Sequence, residues 1–339
     1  SNALEAIHYL STLRSFRGAA RDDLIAHGAH EAMLSARVEG GPLPQDVVVV
    51  LRRDHDPSAP RLARSTDRGR SVTVDGKRPR SFAAYHGSVF HTVLFAPADV
   101  SLGSGTPATR RAYLDAILER LDPAFEPTLR EYERALRGRN RLLRADVVDG
   151  KQLVAFDRVL APLGARIVAL RTRLVQRLVP EACKAFARIV GGAPVLEPTY
   201  RPRVSGGAEA LVRALAAAHD KDRARGFTAD GPHADDLDLC LDGRLARSVA
   251  SQGQLRAIAL ALRAAELEVL RQVTGRVPIL LLDDVSSELD PQRNAWLFEH
   301  LTGLGGQVFL TTTHPDFIRL DAERIDYTVE SGRVAREKS

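Results

Sequence analysis

The run Ile279-Leu-Leu-Leu-Asp283-Asp284-Val-Ser-Ser-Glu-Leu-Asp290 restricts the fold of this 339-residue chain more than any other stretch. Four apolar residues that end abruptly in two acids predict a central strand of a parallel sheet, its carboxyl end opening on a ligand crevice. Nucleotide-hydrolysing sites are often built this way. Asp283 would hold a Mg²⁺ ion, directly or through water, and Asp284 would orient or deprotonate a water beside a γ-phosphate. A strand that simply ends in a polar turn is the plainer alternative.

The flanking segments carry the other parts of an ABC-type ATPase head in the right order. Upstream, Ser251-Gln252-Gly253-Gln254 opens a stretch with Leu255, Ile258, Leu262, Ala265 and Val269 at helical spacing. Ser251 and Gly253 are thus expected at a helix N-terminus, where free N–H groups and a hydroxyl suit the γ-phosphate held by a second head. Downstream, Gln307-Val-Phe-Leu-Thr-Thr-Thr-His314 reads as a short strand ending in a polar group, with His314 as a phosphate sensor. Taken singly, Ser251 to Gln254 also fits an ordinary helix cap, and His314 a hydrogen-bonded loop residue.

With these motifs the chain resembles the RecF family. Leu282 to Asp290 followed by Arg293 matches that family's carboxyl-terminal pattern. Phe95-Ala-Pro97-Ala98-Asp99, Gly105-Thr-Pro107 and Arg110-Arg111-Ala-Tyr113-Leu-Asp115 match a second, and Gly226-Phe-Thr228-Ala-Asp-Gly231-Pro-His233-Ala234-Asp235-Asp236 a third. The Ser-Gln-Gly-Gln signature is the variant typical of the family. Ala98 and Ala234 stand where Glu and Arg are common, so no role carries over to those two side chains.

The resemblance implies a split α/β fold, an ABC-type P-loop ATPase head with an inserted, mostly helical lobe. It divides the chain into a first part of the head (1–104), the insert (105–205) and a second part of the head (206–339). It also implies ATP and Mg²⁺ as cofactors. Asp283 takes the metal, Asp284 and His314 the chemistry, and Ser251, Gln252, Gly253, Gln254 and Asp290 the nucleotide and the dimer turn. Asp99, Asp235 and Asp236 are candidates for a place near the nucleotide. For the last two, an acid-capped turn leading into a strand at 237–241 is the alternative. Arg110, Arg111 and Arg139 are candidates for DNA contact. The local run Arg137, Arg139 and Arg141 also fits a solvated helix face.

No Gly-x-x-x-x-Gly-Lys-Ser/Thr phosphate loop occurs among the 339 residues. In RecF-like chains that loop leads into a helix resembling Asn2-Ala-Leu-Glu-Ala-Ile7, followed by Arg14-Ser-Phe-Arg17. The first strand and the loop are therefore expected to be missing from this polypeptide. Ser1-Asn2-Ala3 reads either as a scar of tag removal or as the native end of the loop. Charge-assisted hydrogen bonds contribute roughly 1.5 to 3 kcal/mol each, so lacking three weakens triphosphate binding by on the order of a thousandfold to a millionfold. Poor ATP binding and no turnover are expected of the chain as it stands.

Composition is compatible with this reading. The net charge is only +5, and since five of the 48 basic residues are Lys, 43 are Arg. Arginine forks suit phosphate, although a GC-rich genome also replaces Lys by Arg. Cys183 and Cys240 have no metal-ligand spacing, and no apolar run approaches a membrane span, so a cytoplasmic location without membrane contact is expected. Periodicity predicts a helix at about 4–13, strand-like runs at 47–52, 72–74 and 89–95, and a hairpin turn at Asp75-Gly76. Helices follow from 107 to about 178, with Pro162 and Gly164 interrupting the stripe, then a strand-rich return near 194–204 and a helix at about 208–222.

Three functions are compatible with the sequence. The first is a DNA-repair ATPase whose ATP-dependent homodimer binds duplex DNA near single-strand gaps. With RecR-like and RecO-like partners it helps load recombinase. The second is another ABC-type head, of a transporter or of the chromosome-maintenance kind. The third is a non-hydrolysing scaffold that binds DNA or a partner.

Overall fold

The structure, a computed structural model, describes residues 1–39, 43–53, 69–147, 149–284, 296, 305–313, 318, 324–330 and 332–337. Helix α1 (Asn2–Thr12) is followed by strands β1 (Glu31–Val38), β2 (Gln45–Arg52) and β3 (Arg70–Val74), which form an antiparallel sheet in the order β1-β2-β3. Val47, Val49 and Leu51 alternate on the inner face of β2 and bury against Tyr9 and Leu10 of α1 and Tyr85 of α2 (Phe82–Ser88). Asp75 and Gly76 both take left-handed conformations and turn β3 back onto Lys77, as the Asp-Gly pair predicts. The expected strand at 89–95 is shorter. The Val89 N–H still bonds the Tyr85 carbonyl as the end of α2, and β4 begins only at Thr92 (Thr92–Phe95).

A short turn α3 (Ser101–Ser104) leads into α4 (Pro107–Leu121), α5 (Phe125–Leu143) and α6 (Gly150–Val190). Helix α6 continues through Pro162 and Pro180, so neither proline ends it. Gly164 lets α7 pack closely: a Cβ there would stand 2.6 Å from Leu211 Cδ2. The return is one strand, β5 (Leu196–Arg201), and the helix expected at 208–222 divides at Ala218 into α7 (Gly207–Ala217) and α8 (His219–Arg225).

Strands β6 (Asp236–Leu241) and β7 (Arg244–Leu245) complete an antiparallel sheet in the order β5-β6-β7, joining a strand from each side of position 205. After the turn α9 (Ala246–Val249) comes α10 (Gln252–Thr274), whose Leu255, Ile258, Leu262, Ala265 and Val269 are all buried. Strand β8 (Ile279–Asp283) lies between β4 and β9 (Val308–Thr311) in a parallel sheet, and β10 (Tyr327–Glu330) pairs with β11 (Arg333–Arg336) in a hairpin. One hydrophobic core runs from β4 and β8 through α10 into α4, α5 and α6, so the helices rest directly on the sheet-bearing part. No helix among the described residues is long and apolar enough to cross a membrane.

Candidate functional site

Strand β8 is the middle strand of its sheet and is apolar on both faces, which fixes where its first carboxylate emerges. Asp283 pairs in register with Thr311 of β9 and is 8% exposed. Thr311 Oγ1 donates to Asp283 Oδ1 at 2.9 Å, and the Asp284 N–H donates to the Thr311 carbonyl at 3.0 Å. Asp284 has φ 52°, in the left-handed region that a non-glycine residue seldom occupies, and such conformations concentrate at functional turns. The Ser1 end of α1 reaches the same place, its amino nitrogen 3.9 Å from Asp283 Oδ1. The N-terminal end of a helix and the first carboxylate at the end of a parallel strand are therefore neighbours.

Ser251 is the N-cap of α10. Its hydroxyl accepts from the Gln254 N–H at 3.2 Å, and Gln254 Oε1 accepts from the Ser251 N–H at 2.9 Å. Ser251 and Gln252 are exposed and Gly253 and Gln254 half-buried, so this helix end faces solvent. The described residues contain no group of three His, Cys, Asp or Glu side chains suited to a metal. Magnesium held by one or two carboxylates with nucleotide phosphates requires no such cluster, and Asp283 with Asp284 fits that chemistry. Asp290 and His314 lie outside the described residues.

Asp99 takes a different part from the one expected of it. Its Oδ2 accepts from the Ala96 N–H at 2.9 Å and its Oδ1 from Arg263 of α10 at 2.6 Å, so both oxygens serve to anchor the turn after β4. Arg263 also meets Glu266 at 2.7 Å, and Arg120 of α4 binds Glu266 and the Thr92 carbonyl. Burial opposes the charge of Glu266, but Arg263 and Arg120 reverse that effect and hold its carboxyl below the usual range. Sequence reasoning missed Arg263 and Thr311. An arginine inside an apolar helical stripe gives only a weak signal, and the Thr311 contact becomes legible once β9 is set in register beside β8.

In the structure Asp235 and Asp236, the candidates for a place near the nucleotide, serve a joint between the helices and the strand that follows. Asp235 is 0% exposed and accepts from the Arg203 N–H at 2.7 Å and from the Tyr200 hydroxyl, with Arg171 of α6 at 3.4 Å. Asp236 is gripped by both arms of Arg110 at 2.8 and 2.9 Å. Burial works against the Asp236 charge, and the Arg110 fork overrides it, keeping the carboxyl below the ordinary range. Arg111 donates to the Asp235 carbonyl at 2.7 Å. His233 bridges the Tyr132 hydroxyl at 2.7 Å and the Thr228 carbonyl at 2.9 Å. Gly231, at φ 143°, passes so close to Tyr132 that a Cβ would sit 2.4 Å from its hydroxyl oxygen.

Two of the arginines expected at DNA are likewise corrected. Arg139 is 0% exposed and bonds Asp157 at 2.8 Å, Asp222 at 2.7 Å and Thr228 at 2.8 Å. Arg110 is buried on Asp236, leaving no free donor face for a phosphate. A buried, fully paired guanidinium holds elements together instead of meeting a ligand.

The sequence is similar to those of known proteins along nearly its whole length. The DNA replication and repair protein RecF of Anaeromyxobacter sp. (strain Fw109-5) is 41% identical over 346 residues, covering 99% of this chain and 89% of its own length. The chain belongs to the RecF family. RecF of Myxococcus xanthus (strain DK1622) is 39% identical over 99% of this chain and 88% of its own. No family-wide sequence profile matches. Among solved structures, that of the recombination mediator protein RecF with ATP in the RecFOR pathway superposes with a TM-score of 0.85 at 29% identity, covering 99% of this chain and 88% of that one. An Smc head domain from Pyrococcus furiosus, at 14% identity and a TM-score of 0.50, shares the fold alone. The chain thus shares the α/β fold of RecF, with helices α4 to α6 between β4 and β5.

Proposed function

We propose that this chain is the head of a recombinational DNA-repair ATPase of the RecF kind. ATP with Mg²⁺ would bind at the carboxyl end of β8, and a second copy would supply the Ser251 end of its α10. The resulting homodimer binds duplex DNA near single-strand gaps and, with RecR-like and RecO-like partners, helps load recombinase. The observation that carries this reading is the approach of the N-terminal end of α1 to Asp283 at the carboxyl end of β8, with Asp284 next in the chain. The RecFOR naming of the solved relatives supports the assignment of pathway and partners.

Asp283 would hold the metal, which supplies charge neutralisation for the triphosphate when bound. Asp284 would orient the attacking water and accept its proton, and His314 would contact the terminal phosphate. The N–H groups and hydroxyl at Ser251 to Gln254 would meet the same phosphate across the dimer. Asp290 would contribute at the turn between the two copies. ATP-dependent behaviour is assigned to a polypeptide that also carries a phosphate loop, a motif not found among these 339 residues.

The test compares ATP-dependent phosphate release and dimer mass in the 339-residue chain, in a version extended upstream by a RecF phosphate loop, and in the extended Asp284→Asn variant. Release and dimerisation are expected only in the extended chain, with release lost on Asp284→Asn. Release by the shorter chain well above the Asp284→Asn level would overturn the phosphate-loop assignment. An extended chain with no release would overturn the ATPase reading.

A further inference from the structure

Helix α6 has two sharply different sides. Successive residues of an α-helix advance by about 100°, and on that count the buried residues of α6, from Leu153 to Ile189, fall along one side. Lys151, Arg158, Arg166, Arg173, Arg177 and Arg188 fall within an arc of about 120° on the other side, and all six are exposed. The acids of α6 lie outside the arc: Asp157 is buried on Arg139, and half-buried Glu181, one turn from Arg177 and about 20° beyond the edge of the arc, meets Gln272 at 3.4 Å. Ala169, Gln176 and Ala187 lie between the cations, so nothing negative interrupts the row.

On other helices several surface arginines have carboxylate partners one turn away, although Arg134 and Arg141 of α5 and Arg223 and Arg225 of α8 have none among the described residues. On α5, Arg130 pairs with Glu126 and Arg137 with Glu133; on α7, Arg213 pairs with Glu209; on α10, Arg271 pairs with Glu268. The five arginines of the α6 row have no ion pair or hydrogen bond to a side chain among the described residues. A general bias toward arginine explains its abundance everywhere but not the exclusion of acids from this one arc. Like charges one turn apart, such as Arg173 and Arg177, oppose helix formation unless an anion lies across them.

The row extends over thirty residues from Arg158 to Arg188, or about 45 Å, the length of about 13 base pairs. A single nucleotide fills one end of such a row, whereas a regular polyanion fills it all. Guanidinium forks match phosphate oxygens, and the arc carries no aromatic side chain on which an unpaired base could stack. Resting on the DNA-binding reading above, we propose that the outer face of α6 is the surface on which the phosphate backbone of duplex DNA lies. Sequence-independent binding that favours duplex over single strand follows.

Fluorescence anisotropy with a 30-base-pair duplex and a matching single strand, titrated with salt in the presence and absence of ATP and Mg²⁺, tests this. In the Arg166→Gln/Arg173→Gln/Arg177→Gln variant the slope of log affinity against log salt should shrink by about 2.7, from about 0.9 per phosphate contact, and affinity at 0.1 M salt should fall on the order of a hundredfold. The matching triple Lys variant should keep the slope, and Arg130→Gln/Arg137→Gln on α5 should leave it unchanged. Wild-type duplex binding with an unaltered slope in the Gln variant would overturn the α6 assignment while leaving DNA binding intact. Single-strand affinity equal to duplex affinity would overturn the duplex assignment. Absence of duplex binding both by this chain and by the chain extended upstream by a RecF phosphate loop, in the presence of ATP and Mg²⁺, would overturn the DNA reading and this inference together.

Discussion

Arg139 shows what a buried guanidinium does when its acceptors come from three elements. Its partners Asp157, Asp222 and Thr228 belong to α6, to α8 and to the segment after it, so one side chain ties the inserted helices to the returning chain. Arg139→Ala leaves two buried carboxylates without their cation and is expected to cost about 3–5 kcal/mol in urea unfolding. Arg166→Gln, on the exposed face of α6, is expected to stay within about 0.5 kcal/mol. A loss under 1 kcal/mol for Arg139→Ala would refute the joint described here. Two buried histidines, His86 and His91, and the half-buried His8 form a second residue-scale case around Arg120. Burial, reinforced by Arg120, pushes His8 and His86 down to about 3 and His91 to about 4. Neither ring nitrogen of His86 has a hydrogen-bond partner among the described residues. The unfolded chain therefore binds more protons than the folded one between pH 6.5 and about 4. Stability is full above pH 6.5 and falls as pH drops through that window, by about 1.4 kcal/mol per pH unit for each histidine. Thermal melts from pH 7 to 5 should register this decline, and His86→Phe should flatten it; equal slopes in both proteins would contradict the account.

At the scale of elements, α10 depends on a cap that is also a candidate phosphate contact. Ser251→Ala removes one half of a reciprocal pair and should destabilise the chain by about 1 kcal/mol, whereas Ser251→Asn, which also caps, should not. Equal denaturation midpoints for the Ala variant and wild type would sink that assignment. The cap was legible because Ser251 and Gln254 stand three apart before an apolar stripe. The paired acids at the end of β8 were legible for a similar reason, the four apolar residues before them. Other elements were not. Strand β1 alternates Ala32, Leu34, Ala36 and Val38 but is only half covered, so its apolar signal is weak. Pro162 suggested an interruption in α6, yet packing along the opposite side keeps the helix continuous. The ion pairs of Arg110 and Arg139 are not legible because local sequence carries no sign of a partner 126 or 83 residues away. Long-range ion pairs are properties of the assembled fold, and periodicity reports only what lies within a few turns.

For the whole molecule, helices α4 to α6 are not an independent unit. Their apolar faces share one core with β4, β8 and α10, and their polar contacts converge on residues 226–236. A chain ended at residue 205 should accordingly lose protease resistance within 107–190, not merely at its new end. Limited proteolysis followed by mass mapping checks this, and an intact 107–190 fragment would show that the helices fold without the joint. The same dependence has a cost in time during synthesis. Asn140 receives its partner Thr228 only after 88 further residues have been added. At about 5–20 residues per second, the nascent helices remain for roughly 4–18 seconds with Arg139 lacking two of its acceptors. During that interval the half-made molecule carries unmatched charge where the finished one carries its firmest joint.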